Sequence, residues 1–291
     1  MNRTIFLYSK LSLTLVGVAL LTSCGVTDED SSPSASSTTF PSSSPSSIIP
    51  SNSASAHASS GNHEAHWGYE GAISPSRWSE LSPEFKTCGT GKEQSPVDIN
   101  SAQPKNLENL EFSYHPAPAE ITNNGHTQQV NVSEGLGITV GDEKYELQQF
   151  HFHTPSEHTI DDKPAAAEVH FVHVNEEGEL AVVAAFIRKG TSHQDAYQIL
   201  IDNMQKELGD SAPVGNSNLD VFSLLPQNKQ FVSYEGSLTT PPCTEGVAWY
   251  VLDTPVELSQ EQIDNLQTVI GENARPVQNL NDRMVEKDVT P

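Results

Sequence analysis

Residues 62–291 predict a β-dominated α+β domain with short peripheral helices. Three observations carry the prediction. Five runs are rich in Val, Ile, Phe or Tyr, which suit a pleated, packed surface. Only two segments keep helical spacing. Residues 148–153, "QQFHFH", alternate so that Phe150 and Phe152 share one strand face while His151 and His153 share the other, because successive strand side chains point to opposite sides.

The predicted strands are Gln129–Ser133, Leu147–His153, Val169–Val174, Leu180–Arg188 and Val247–Leu252. Leu180–Ile187 is apolar almost throughout, as a central strand covered on both faces should be. One helix is predicted from Tyr197, Leu200, Ile201, Met204 and Leu208, with Gly209 stopping it. A second opens on the capping box Ser259-Gln260-Glu261-Gln262, buries Ile263, Leu266 and Ile270, and ends at Gly271. No internal repeat or composition break interrupts this stretch, so it reads as one domain.

The preceding residues read differently. Arg3 and Lys10 precede the apolar run Leu11–Leu21, too short to span a bilayer and suited to a secretory signal. It ends in Leu21-Thr22-Ser23-Cys24, which resembles a bacterial lipobox. The expectation is a signal peptide over residues 1–23 and lipid on Cys24; ordinary cleavage beside an incidental cysteine is the alternative. Residues 24–61 are mostly Ser, Pro, Ala and Thr and read as a tether unable to bury a core. His57, His63 and His66 near its end read as scattered solvated histidines. The protein is thus expected outside the cytoplasm, periplasmic or otherwise extracytoplasmic, touching the membrane only through its lipid.

The net charge of −23 falls almost wholly on the domain, whose 35 acidic and 13 basic residues leave −22. Such a surface repels nucleic acid and anionic lipid, which excludes nucleic-acid binding. With Cys24 lipidated, Cys88 and Cys243 remain as an even pair in an oxidising compartment. A bridge between them would close about 155 residues, for which chain entropy sets an upper contribution of roughly 4–5 kcal/mol.

His151 and His153 lie about 6–7 Å apart at Cα on one strand face, a spacing that suits two ligands of one ion. A third should come from a neighbouring strand, and "AEVHFVH" (167–173) offers two histidines. Glu168 sits two residues before His170 on the same face, as Gln149 does before His151. Metal-bound histidines donate their second N–H to such groups, which selects His170 over His173. Three neutral imidazoles without thiolates leave a fourth position open on tetrahedral zinc, the pattern of a catalytic site.

"KEQSPVDI", "QFHFHTPSEHT", "AEVHFVHVN" and "EGSLTTPPCTEGVAWYVL" resemble the alpha class of carbonic anhydrases, its bacterial members especially, and the resemblance extends from His66-Trp67-Gly68-Tyr69 to "NARPVQNLNDR" (273–283). It implies a large, mostly antiparallel twisted sheet and reversible hydration of carbon dioxide to bicarbonate and a proton by a zinc-bound hydroxide. His151, His153 and His170 match the zinc ligands. Gln149 and Glu168 match their partners, and Asn273 the residue whose carbonyl orients the remaining ligand. Thr239 and Glu157 match the pair that orients the hydroxide, with Thr240 beside them. His126 in "NNGH" matches the proton shuttle, although Asn124-Gly125 alone explains a turn there. Val172, Val182, Leu238 and Val247 match the apolar wall for carbon dioxide. His158 and Tyr234 match a buried hydrogen-bond network behind the site.

The resemblance also implies a Cys88–Cys243 bridge pinning the Thr239 loop, cis bonds at Ser95-Pro96 and Pro241-Pro242, and inhibition by anions and sulfonamides. Gln128 and Thr244 depart from bulkier apolar residues of animal members, and Thr154-Pro155 follows the histidine pair where those carry a tryptophan and a longer loop. These departures bear on cleft polarity and inhibitor preference. A homodimer is compatible with the sequence, which leaves the oligomeric state open.

Two rival readings use the same residues. "HFHTPSE" fits the HxHxxxE pattern of cupins, with Glu157 as an iron or manganese ligand. That pattern needs a glycine ahead of the last histidine, and "KPAAAEV" has none. A non-enzymatic zinc-binding lipoprotein would not require Thr239 with Glu157.

Overall fold

The computed structural model describes residues 66–100, 102–216 and 218–290. The expected signal peptide, tether, Cys24, His57 and His63 lie outside them. The principal strands are β1 (Ala119–Asn123), β2 (Gln128–Val132), β3 (Glu143–His153), β4 (Ala167–Val174), β5 (Leu180–Lys189), β6 (Phe231–Ser237) and β7 (Glu245–Leu258). Among the described residues twelve strands join one sheet. Its main path runs from Gln103–Lys105 through Glu286–Asp288, β6, β7, β5, β4, β3, β2 and β1 to Ser211–Pro213. Pairing is antiparallel except between β5 and β7 and between Gln103–Lys105 and Glu286–Asp288.

All five predicted strands exist, each within a longer or slightly shifted one. β5 alternates between two cores as expected of a central strand. Ala181, Val183, Ala185 and Ile187 join one cluster, and Val182, Ala184 and Phe186 the other. The first cluster also takes Phe150, Phe152 and Phe171, each fully buried. Burying each ring contributes about 1.5–3 kcal/mol, and together they fix which face of β3 carries the histidines.

Two helices cover that first cluster. α1 (Asp195–Asp202) and α2 (Gln260–Ile270) contribute Tyr197, Leu200, Ile263 and Leu266. The capping box of α2 forms as predicted, and Gly271 ends the helix at φ 73°. The α1 prediction needs correction. The helix stops at Asp202, and Leu208 is exposed rather than on a buried helical face. Gln128 on β2 explains the early stop. Its side chain accepts the N–H of Gln205 and donates to the Gln205 carbonyl, 2.9 and 2.7 Å, so the chain binds β2 instead of its own helix.

Candidate active site

β3 and β4 pair with His170 opposite His151 and Glu168 opposite His153. The three predicted ligands therefore share one face across two hydrogen-bonded strands. One ring nitrogen from each lies within 4.8 Å of the others. Oxygen atoms face the outward nitrogens, with hydrogen bonds at His151 and His153. Gln149 Oε1 lies 2.9 Å from His151 Nδ1, the Asn273 carbonyl 2.9 Å from His153 Nδ1, and Glu168 Oε1 3.0 Å from His170 Nε2. Burial lowers all three histidines below the ordinary range, His153 to about 4. Neighbouring imidazoles push His151 further down, while Glu168 opposes the shift at His170. Neutral imidazoles with inward lone pairs suit a metal ion. His153 Nε2 is buried and has no hydrogen-bond partner within the protein, an atom that a cation would satisfy. The set fits zinc: three nitrogens, no thiolate, and a position left open.

His173 lies on the opposite face, fully buried. Its Nε2 meets the Tyr114 hydroxyl at 2.7 Å and its Nδ1 the Ala181 carbonyl at 3.2 Å. It is a satisfied core histidine, and the choice of His170 over His173 agrees with this placement.

Glu168 does more than face His170. Its Oε2 accepts the backbone N–H groups of Glu157 and His158, and its Oε1 lies 2.6 Å from His158 Nδ1. Burial opposes its charge, yet His158 and His170 beside it hold the carboxyl well below the usual range. His158 Nε2 reaches the Tyr234 hydroxyl at 2.7 Å, which donates to Ser95 Oγ at 2.8 Å. Ser95 Oγ also accepts the N–H of Ser237, two residues before Thr239. The expected network behind the site is present and reaches the Thr239 loop.

Thr239 is buried with its side chain beside the Glu157 carboxylate, whose Oε2 is buried without a hydrogen-bond partner within the protein. Glu157 Oε1 also accepts the Arg275 N–H at 2.8 Å. Burial pushes the Glu157 carboxyl up to about 7, against the pull of His170, the Arg275 N–H and Thr239. Glu157 belongs to neither group of potential metal ligands among the described residues, contrary to a cupin arrangement. The loop after Thr239 is tied by the Cys88–Cys243 disulfide, and both expected cis bonds are present, with a third at Thr154-Pro155.

Val182 and Val247 are buried in one cluster with Trp249, and Val172 and Leu238 pack against it. Val172 follows His170 on the same face of β4, and Trp249 meets His170 edge-on with centroids 5.0 Å apart. The apolar wall therefore lies on the histidine side of the sheet.

His126 sits in a tight turn. Asn124 Oδ1 accepts the N–H groups of His126 and Thr127, and Gly125 takes φ 86°. The turn and the site are not alternatives, because His126, Thr240, His151 and His153 line one cleft of about 110 Å³. The His126 ring stacks on Trp67, centroids 3.6 Å apart and planes within 5°.

Several residues escaped sequence reasoning. Gln129, opposite His151, lines the cleft. Gln128, the departure expected to alter cleft polarity, points to the other face and spends its amide on Gln205. Strand alternation alone could have separated the two. Tyr69 lines the cleft, and Arg275 is buried, donating to the Ser95 and Cys88 carbonyls and to Gln94 Oε1. Burial lowers the Arg275 guanidinium to about 10. No local pattern around Arg275 announces these long-range partners.

Residues 73–289 match the family model of the eukaryotic-type carbonic anhydrases. The chain is 40% identical over 232 residues to the carbonic anhydrase of Pectobacterium atrosepticum, spanning 78% of this chain and 93% of that protein. It is 42% identical over 235 residues to that of Neisseria gonorrhoeae, spanning 80% and 90%. Among solved structures, the alpha-carbonic anhydrase of Thermovibrio ammonificans in complex with the inhibitor sulfanilamide matches with a TM-score of 0.74 at 42% identity, covering 77% of this chain and 99% of that one.

Proposed function

The chain belongs to the eukaryotic-type carbonic anhydrase family, and from that membership we propose that it hydrates carbon dioxide reversibly on a zinc ion held by His151, His153 and His170. One observation carries the reading: three neutral imidazoles converge on a single point, acceptors hold the outward nitrogens of His151 and His153, and the Glu168 carboxylate lies 3.0 Å from that of His170. Zinc bound there would lower the pKa of a coordinated water to about 7 and supply a nucleophile at neutral pH, a value the general chemistry illustrates with carbonic anhydrase itself and not one read from this site.

The chain's own residues do the rest. When ionised, the Glu157 carboxylate only accepts hydrogen bonds, so it accepts one from the Thr239 hydroxyl. Thr239 is left as an acceptor toward the nucleophile and fixes its orientation, with Thr240 beside it. The wall of Val172, Val182, Leu238 and Val247 holds a small apolar substrate by weak contact. His126, on the cleft, takes the proton released in each turnover and passes it to buffer. The same cleft would take anions and sulfonamides, as the Thermovibrio enzyme takes sulfanilamide.

The reading extends to location. The signal-like run, the lipobox ending at Cys24 and the tether to residue 61 support an exported lipoprotein whose domain begins at residue 62. The Cys88–Cys243 disulfide agrees with an oxidising compartment. Intact-mass measurement of protein from cell envelopes tests this, and an unlipidated Cys24 would remove the anchor.

Metal analysis with a carbon dioxide hydration assay tests the central claim. One zinc per chain is expected, with His170→Ala losing metal and activity together. Zinc lost from His173→Ala but kept in His170→Ala would place the ion on the wrong face of β4.

A further inference from the structure

Asn273 uses every polar atom it has. Its backbone carbonyl faces His153 Nδ1 at 2.9 Å, and its N–H donates to the Thr154 carbonyl at 3.1 Å. Its side-chain Oδ1 accepts the Thr154 N–H at 2.7 Å. The two Nδ2 hydrogens go to different segments, one to the Phe152 carbonyl at 2.9 Å and one to the His126 carbonyl at 3.0 Å. The residue is 2% exposed. A single buried amide thus grips the end of β3, where His153 lies, and the turn that carries His126. Thr127 adds a second tie, donating its hydroxyl to the same Phe152 carbonyl at 2.6 Å.

The His126 turn otherwise sits at the surface, with Asn124 and Gly125 exposed. Proton relay depends steeply on separation and alignment. We propose that the Asn273 side-chain amide is a positioning group that sets His126 at a fixed place relative to the metal-binding histidines. This is distinct from the orienting role of its backbone carbonyl, which any substitution retains. The inference rests on His126 carrying the proton.

Asn273→Asp keeps an acceptor for Thr154 and turns the donor amide into an acceptor facing two carbonyls. Asn273→Ser removes the amide without adding charge. In either variant kcat in weak buffer should fall roughly three- to tenfold, the range set by one hydrogen bond to the His126 carbonyl. kcat in weak buffer should fall further than kcat/KM or zinc content, and imidazole should restore the part of kcat lost through His126. On a His126→Ala background the Asn273 substitutions should cost no further kcat, because they act through the missing ring. Additive losses on that background, or a fall in kcat/KM together with zinc loss, would show that the amide serves only the fold or the metal site. Unchanged kcat in His126→Ala alone would instead remove the shuttle and leave Asn273 a structural tie. Should neither variant fold, hydrogen exchange of the Asn273 side-chain amide in the unaltered protein still decides. Exchange as fast as that of an exposed amide overturns the inference.

Discussion

Glu157→Gln is nearly isosteric and removes one property, the ability to accept at both oxygens. Glu157 is 1% exposed, so water cannot repair the change. Its Oε1 accepts the Arg275 N–H at 2.8 Å, and the Thr239 side chain lies beside the carboxylate. An amide can satisfy one of these and not both. If its oxygen stays on Arg275, its NH₂ donates to Thr239, whose own proton then turns toward the reacting oxygen. If the amide flips, two donors face each other in a buried site. Either way Thr239 loses its fixed direction. One such preorganised hydrogen bond is worth about 2.7–4 kcal/mol, or roughly 10²–10³ in rate. Stopped-flow hydration in strong buffer, where proton relay is not limiting, should show kcat and kcat/KM falling together by that factor. Zinc content should stay at one per chain, since Glu157 belongs to neither potential ligand group. A variant holding full zinc with kcat/KM within about threefold of the parent refutes the orienting role. Loss of zinc instead makes Glu157 a ligand and returns the cupin-like reading.

His126→Ala should lower kcat in weak buffer and leave kcat/KM nearly unchanged, with imidazole restoring the loss; Thr239→Ala should lower both by about 100-fold without rescue. Burial holds His173 down to about 3. An unfolded histidine titrates near 6.5, so the unfolded chain binds the extra proton between those values, and stability falls by up to about 1.4 kcal/mol per unit as pH drops below 6.5. Urea titrations at pH 7.5 and 5 should show a smaller fall for a His173→Phe, Tyr114→Phe double variant; equal falls would remove His173 from the acid response. Replacing Cys88 with Ser should cost up to about 5 kcal/mol, since the bridge closes 155 residues, and an unchanged denaturation midpoint would contradict that contribution.

Much of this site could be read before any coordinates because it is built on strands. A two-residue period places side chains on faces without further information. "FHFH" and "AEVHFVH" therefore single out the proposed ligands, the buried phenyls and the neighbours Gln149 and Glu168. Only register was missing, and the pairing of His170 with His151 supplies it. Thr239, His126 and Asn273 could not be derived this way. They lie on turns and loops, where position is set by contacts distant in sequence and no local period exists. Asn273 lies 120 residues from its partner His153. Only the family resemblance singled them out. The α1 boundary failed for a related reason. Met204 and Leu208 keep helical spacing, but two bonds from Gln128, 77 residues earlier, take the chain away from the helix.

β4 carries both outcomes for a buried histidine within four residues. His170 and His173 come from the same apolar run, and burial lowers the pKa of both. What separates them is the supply of partners. His173 has an acceptor in the Ala181 carbonyl and a hydroxyl in Tyr114, one for each ring nitrogen, so nothing is left to bind a ligand. His170 has a carboxylate on one nitrogen and two further imidazoles gathered around the other. Three neutral rings turned toward one point would leave lone pairs facing one another, an arrangement without internal compensation. A cation resolves it. The unsatisfied side is what points to a metal, and the hydrogen bonds behind His151 and His153 hold that side in place.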